Sequence, residues 1–243
     1  MQSGAETPAA GHPYIPHIGD SRQYMRDIIL GVNDGLVSMF LLVAGVVGGG
    51  LTTRQVFLTA VAGSIAGAVS MAAGEYLATE SQEEVFDREI ALERDHIAHH
   101  REQEVEQLAG YFYDMGIDGD ELDTVVEVFA QDDERLLNAM KRLEFGVVDS
   151  ERRSPIAAML ASGALFLVGS LASVIPFIVL DSPDSGLALA SLLTAIGLFI
   201  VGVVKTRVTN TNPFTAGIKN LVITAVGAVV AFAIGALVDA SLG

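Results

Sequence analysis

Two acidic side chains lie in stretches that are otherwise apolar. Asp34, preceded by Asn33, occurs early in the apolar run 31–49, and Glu75 follows Met71 by four residues near the end of a second run. An ionised carboxylate at bilayer depth costs about 2.5–3.5 kcal/mol, so it usually faces a partner, a cavity or a permeant ion. Carboxylate, amide and thioether groups together suit a borderline divalent ion such as Fe²⁺ or Mn²⁺. Capping or hydrogen bonding near the ends of two helices is the alternative explanation.

A second group of potential ligands lies in a strongly acidic segment. On a helix with 100° per residue, four side chains fall within an arc of roughly 60°: Glu89, Glu93, His96 and His100. Such a face offers a divalent transition ion suitable ligands, whereas a charged face in water is the alternative. Glu93 and His96 also match the Glu-x-x-His pattern of di-iron proteins. That design requires a second copy, which the sequence does not contain.

Apolar runs supply the elements that would position the first group. The chain is 51% hydrophobic with a mean hydropathy of +0.46, yet its formal net charge is −16. The charge is segregated, since residues 80–153 hold 22 acidic and 8 basic residues and thus 14 of the 16 net negative charges. Five runs are long enough to cross a hydrocarbon core of roughly 30 Å: 28–50, 56–78, 155–180, 186–204 and 220–238. The expected fold class is an all-α membrane protein with five transmembrane helices.

The acidic segment shows apolar residues at helical spacing, so we expect a folded helical insert between spans two and three. Its first helix should continue span two. Four regions are predicted: a flexible cytoplasmic tail (1–26), transmembrane helices one and two (27–79), an acidic metal-binding domain (80–153), and transmembrane helices three to five (154–243). The absence of Cys excludes disulfides and thiolate metal sites.

Basic residues next to the spans predict the orientation of the chain. All but Arg54 flank one side: Arg22, Arg26, Arg152, Arg153, Lys205, Arg207 and Lys219. The N-terminus and the insert are therefore expected in the cytoplasm and the C-terminus outside. The surplus of acidic residues is also typical of a high-salt cytoplasm, which favours a prokaryotic cell membrane. In a eukaryote the vacuolar membrane is expected.

Small residues four positions apart indicate close helix contacts. Three pairs show this spacing: Gly45 and Gly49, Gly63 and Gly67, and Ser70 and Gly74. They predict either packing within one chain or an interface between two chains. An odd number of spans in a short chain is compatible with a symmetric dimer that has a path on its two-fold axis.

The motifs around these residues resemble those of the vacuolar iron transporter family of ferrous-ion/proton exchangers. The resemblance covers about nine-tenths of the chain, from Asp27 to the C-terminus. Its specific features are ILGVNDGLVS in span one, SMAAGEYLATESQ at the end of span two, ASVIPF in span three, the acidic insert and a last span rich in small residues. The resemblance implies a dimer with its transport path at the two-fold axis, and Asp34 and Met71 as transport ligands.

In this family, Glu and Met side chains of the insert collect metal ions before transport. The matching positions here are Glu89 and Glu93, then Glu104 and Gln107, and finally Met140, Lys141 and Glu144. Gln107 and Lys141 each stand where the family has a ligand. The resemblance therefore implies an altered ligand set in which His96 or His100 substitutes for a lost group.

Together these observations predict an integral membrane transporter rather than an enzyme. It would export Fe²⁺, and also Mn²⁺, from the cytosol by proton antiport, after the acidic domain has collected the ions. A membrane-anchored metal sensor or buffer without transport and a di-iron oxidase are the alternatives. The expected partners are a second copy of the chain, the lipid bilayer, divalent metal ions and protons, with no nucleic acid.

Overall fold

The computed structural model describes residues 21–146, 152–209 and 212–242, which form helices joined by short loops and include no β-strand. Nine helices follow one another within these ranges: α1 (Ser21–Gly48), α2 (Thr53–His99), α3 (Arg101–Asp114), α4 (Gly119–Ala130), α5 (Asp133–Leu143), α6 (Pro155–Val174), α7 (Pro176–Val179), α8 (Pro183–Thr209) and α9 (Pro213–Leu242). Five of them, α1, α2, α6, α8 and α9, contain an apolar stretch long enough to cross a bilayer. The predicted class, an all-α membrane protein with five spanning helices, is confirmed.

α1 is the central helix of the membrane bundle, since it contacts α2, α6, α8 and α9. A Cβ atom at Gly35 would lie 2.2 Å from the carbonyl oxygen of Phe166 on α6. A Cβ atom at Gly235 on α9 would lie 1.9 Å from the carbonyl oxygen of Gly45 on α1. Helix backbones approach this closely only at glycine. These contacts hold α1, and with it Asp34, at a defined position in the bundle.

The small residues of α2 form two groups with different surroundings. Gly63 and Gly67 pack against side chains of α1 and α6, so their predicted contacts lie within one chain. Ser70 and Gly74 are exposed, and a Cβ atom at Gly74 would meet no described atom within 4 Å. Near the insert end of the span, one face of α2 is therefore uncovered by the part of the chain that the structure describes.

Two helix boundaries differ from the sequence-based expectation. α1 already begins at Ser21, within the expected N-terminal tail, while residues 1–20 of that tail lie outside the described residues. The third apolar run, expected to be continuous over 155–180, is divided at Pro176 into α6 and α7. Proline has no backbone N–H to donate to the preceding turn, so it interrupts the helix there.

α2 continues far beyond its apolar part and forms the first helix of the insert, as predicted. Its 47 residues correspond to a length of about 70 Å at 1.5 Å per residue. α3 and α5 pack against its end, and α4 packs against both of these helices. Buried apolar side chains form a separate core in the insert: Ile97, Leu108, Phe112, Leu136, Leu137, Ala139 and Met140.

Arg153, just before α6, joins three helices at one edge of the apolar bundle. Its guanidinium pairs with Asp27 of α1 and lies 3.5 Å from Oε1 of Glu75 on α2. The side chains of Arg153 and Asp27 are only 13% and 12% exposed, so water shields their charges little. The start of α6 is thereby fixed to both α1 and α2.

Arg153 and its neighbour Arg152 should differ in their contribution to stability. Arg153→Ala removes a shielded cation between two carboxylates, so we expect the free energy of unfolding to fall by about 2 kcal/mol. Arg152→Ala is the matched control. The Arg152 side chain pairs with Glu83 and Asp87 at 2.6 and 2.7 Å in more exposed positions than Arg153 and Asp27. Such pairs contribute about 0–1 kcal/mol. Thermal unfolding in detergent measures both effects, and equal losses would contradict this ranking.

Candidate metal sites

Three potential metal ligands meet where α2 ends and α3 begins. Glu93 and His96 lie one turn apart on α2, and a single residue, His100, separates this helix from α3. The turn brings Glu104, in the first turn of α3, next to them. One ligand atom from each side chain lies within 4.8 Å of the other two, and His96 Nδ1 is 3.2 Å from Glu104 Oε1. In the described ranges this is the one such group of three ligands; we call it the insert cluster.

The two carboxylates of the insert cluster are shielded from water. Glu93 is 3% exposed and Glu104 is 5% exposed. Glu93 Oε1 and Glu104 Oε2 are buried and have no hydrogen-bond partner among the described residues. Burial first, and then the negative charges of Glu104 and Glu144, raise the pKa of Glu93 from 4.5 to about 7. Without a cation, this arrangement therefore disfavours ionisation of Glu93.

The donor set of the insert cluster fits a divalent transition ion. Two carboxylates supply negative charge and an imidazole supplies nitrogen, a combination suited to iron and its neighbours in the first transition series. A cation between these groups would satisfy both unpartnered oxygens and offset the repulsion between Glu93 and Glu104. The residues that are present therefore suit a metal ion as a bound substrate.

The other predicted ligands of the insert lie around the insert cluster rather than in it. His100 is exposed, and its ring meets that of His96 edge-on with 6.2 Å between ring centroids. Glu144 is exposed, and its charge helps to raise the pKa of the Glu93 carboxyl group. Glu89 lies one turn earlier on α2, outside the group. Met140 is fully buried in the apolar core of the insert.

Asp34 lies inside the membrane bundle, seven residues or about 10 Å from the start of the first span at Asp27. Its Oδ1 accepts a hydrogen bond of 2.8 Å from the hydroxyl group of Ser38, one turn further along α1. Asp34 is half-buried and Ser38 is exposed. Neighbouring Asn33 has a buried Oδ1 that lacks a hydrogen-bond partner among the described residues. Asp34 and Ser38 thus lie on a partly open face of α1, whereas the amide oxygen of Asn33 is buried.

Met71 lies at the same depth as Asp34. α1 and α2 are joined by a short loop and run antiparallel, and Gly63 of α2 contacts Leu42 of α1. Asp34 and Met71 are each eight residues from this contact in the direction of the insert, or about 12 Å along each helix. Met71 is half-buried and packs against the apolar core of the bundle.

Glu75 has different surroundings from the other three predicted transport ligands. Its carboxylate lies beside the guanidinium group of Arg153, at the edge of the bundle where Asp27 also lies. The fold therefore brings Asp34 and Met71 to one level and assigns Glu75 to an ion-pair group nearer the insert. In the sequence, Arg153 indicates only the orientation of the chain, because the apolar run that follows it gives no sign that its partners are Asp27 and Glu75.

These features define a class: a polytopic helical membrane protein with a carboxylate at bilayer depth and a helical insert that contains a group of carboxylate and imidazole ligands. The sequence model of the VIT family matches residues 25–236 of the chain. The chain belongs to this family.

Individual relatives extend this comparison over most of the chain. It is 30% identical to vacuolar iron transporter 2 of Oryza sativa subsp. japonica over 213 residues, which cover 86% of this chain and 85% of the relative. It is 27% identical to vacuolar iron transporter 1 of Arabidopsis thaliana, covering 89% of this chain and 87% of the relative. A vacuolar iron transporter of Toxoplasma gondii is 23% identical, with coverage of 93% and 78%.

Proposed function

We propose that the protein is a secondary transporter that exports Fe²⁺ from the cytosol in exchange for protons, with Mn²⁺ as a weaker second substrate. The observation that carries this proposal is Asp34, a carboxylate at bilayer depth whose partner is the neutral hydroxyl group of Ser38. A carboxylate in such a position is retained where a permeant cation compensates its charge. The names of the relatives, which are vacuolar iron transporters, support iron as the substrate.

In the proposed mechanism the insert binds the ion first. Glu93, His96 and Glu104 take it from the cytosol, and it then passes to Asp34 and Met71 inside the bundle. Glu75 and Asn33 flank this route. Protonation of Asp34 from the far side weakens metal binding and releases the ion, so that each cycle returns protons to the cytosol. The polarity of Asp34 and the softness of Met71 match the mixed preference of Fe²⁺.

We further propose that two chains form the transport path between them. The face of α1 with Asp34 and Ser38 is partly exposed in the single chain, and so is the face of α2 with Ser70 and Gly74. A polar face at bilayer depth is costly against lipid. A symmetric dimer that covers both faces would enclose a polar route on its two-fold axis.

The proposed orientation has the N-terminus and the insert in the cytoplasm and the C-terminus outside, on the basis of the basic residues beside the spans. The relatives named above are eukaryotic and are named for the vacuole. They lend support to an intracellular membrane and none to the prokaryotic cell membrane that the acidic composition favours.

Fe²⁺ flux in proteoliposomes tests the proposed function. We expect uptake that requires the protein, increases when the lumen is more acidic than the outside, and acidifies the outer solution. Mn²⁺ should enter more slowly. Binding of Fe²⁺ without flux would favour a membrane-anchored sensor or buffer instead. Fe²⁺-dependent consumption of O₂ would favour a di-iron oxidase.

A further inference from the structure

We infer that His96 sets the metal preference of the insert, which then selects Fe²⁺, Co²⁺, Ni²⁺ and Zn²⁺ over Mn²⁺, Mg²⁺ and Ca²⁺. This inference rests on the proposed collection of metal ions by the insert and concerns the selectivity of that same site. His96 contributes the nitrogen donor of the insert cluster, and Glu93 and Glu104 contribute oxygens. A substitution that changes this donor alone should therefore change the preference.

Imidazole and carboxylate ligands discriminate differently between divalent ions. Imidazole suits iron, nickel, copper and zinc, whereas carboxylate oxygens suit magnesium, calcium and manganese. At a mixed nitrogen and oxygen site the affinity rises from Mn²⁺ through Fe²⁺ and Co²⁺ to Ni²⁺. Ca²⁺ takes six to eight oxygen ligands, more than two carboxylates supply. The single imidazole thus shifts the preference of an otherwise acidic site away from the hard ions.

His96 faces the carboxylates and is not merely their neighbour in sequence. Its Nδ1 lies 3.2 Å from Glu104 Oε1, so the ring edge that bears Nδ1 points at the insert cluster. Metal binding at this atom requires Nδ1 without a proton, which leaves the ring proton on Nε2. The contact between His96 and Glu104 in the metal-free protein therefore already positions the nitrogen donor for the ion.

Burial of the carboxylates acts in the same direction. With Glu93 and Glu104 only 3% and 5% exposed, few water molecules reach their oxygens. Mg²⁺ gives up its bound water reluctantly and usually keeps several water ligands in proteins. A shielded site with few protein oxygens therefore penalises Mg²⁺ beyond the effect of the imidazole.

Competition between Co²⁺ and Mn²⁺ in the full-length protein tests the inference, because the visible absorption of Co²⁺ reports on its ligands. An Asp34→Asn background avoids signals from ions in the membrane bundle. We expect the insert to prefer Co²⁺ by at least about tenfold. His96→Glu keeps a donor but replaces nitrogen by oxygen, and should reduce this ratio by roughly tenfold and change the spectrum. His99→Gln is the matched control, since His99 is exposed and contacts Asp95.

A His96→Glu protein that retains the ratio and the spectrum of its parent would overturn the inference, while metal collection by the insert would stand. If this variant does not fold, His96→Asn, which presents an amide oxygen, gives the same comparison. A parent protein that binds no Co²⁺ would overturn metal collection and the inference together. The Fe²⁺ flux measurement tests transport independently of these outcomes.

Discussion

Replacing Asp34 by Asn should reduce Fe²⁺ flux into proteoliposomes by at least about 100-fold. Asn is similar in size and can still accept the hydrogen bond from Ser38, but it has no negative charge. A cation at this depth then lacks the charge that compensates its dehydration, and a penalty of about 3 kcal/mol corresponds to roughly 100-fold in rate. Initial rates of Fe²⁺ uptake at equal protein content measure the effect.

Ser38→Ala is the control for this substitution. It removes the hydrogen bond to Asp34 but keeps the carboxylate, and a hydrogen bond contributes about 0.5–1.5 kcal/mol. We therefore expect a loss of flux of about tenfold at most. Co²⁺ binding by the insert should be unchanged in both variants. Flux through Asp34→Asn that stays close to the wild-type rate would exclude Asp34 as a transport ligand.

The second large effect concerns stability. Glu93→Gln should stabilise the metal-free insert at pH 8 by about 2–3 kcal/mol. At this pH the wild-type carboxyl group is ionised although burial and the charges of Glu104 and Glu144 disfavour that state. Glutamine is isosteric and neutral, and its amide can donate to Glu104. Hydrogen exchange of α3 amides in the full-length protein with a chelator measures the local free energy of opening.

The same carboxyl group predicts how stability depends on pH. Its pKa is about 7 in the folded protein, where it lies near Glu104, Glu144 and His96, and 4.5 is the reference value for the unfolded chain. The folded state therefore holds the proton more tightly. The Glu93 carboxyl group contributes on the order of 3 kcal/mol in all to the free energy of unfolding. This contribution is fully present below pH 4.5 and is lost as the pH rises through about 7.

Glu89→Gln provides the comparison, because Glu89 lies one turn earlier on the same helix and outside the insert cluster. This variant should keep the wild-type pH dependence. Addition of Co²⁺ at pH 8 should slow exchange in the wild type and in Glu89→Gln, but much less in Glu93→Gln. If the metal-free Glu93→Gln insert is less stable than the metal-free wild type, ionisation of Glu93 does not destabilise the insert and the prediction is wrong.

Spans and the continuous α2 were predictable from sequence because they depend on local patterns. Apolar runs define the spanning helices, and the uninterrupted helical spacing after span two indicated its extension. The break at Pro176 could also have been anticipated from its missing N–H. The residues on both sides of Pro176 are apolar, so the hydropathy of the run is continuous and does not indicate the missing backbone hydrogen bond.

The grouping of the candidate metal ligands was harder to predict, because it depends on contacts between helices. The predicted helix face contains Glu93 and His96, which lie together in the insert cluster, but it could not show that α3 brings Glu104 next to them. Glu104 of α3 lies beside Glu93 and His96 in the last two turns of α2, whereas Glu89, one turn earlier, lies outside this group. Met140 fits the apolar spacing of α5 as well as a ligand pattern, and the fold buries it in the core. The pairing of Glu75 with Arg153 depends on residues far apart in the chain.

The long α2 has a mechanical consequence. Between residues 75 and 99 the sequence contains neither Gly nor Pro, so this part of the helix has no residue that favours bending. Glu75 and Glu93 are separated by 18 residues, or about 27 Å of helix without such a residue. A tilt of this part of the helix by about 5° about Glu75 would displace Glu93 by roughly 2 Å. A small displacement of the insert is therefore linked to a tilt of α2, the same helix that contains Met71 in the membrane bundle.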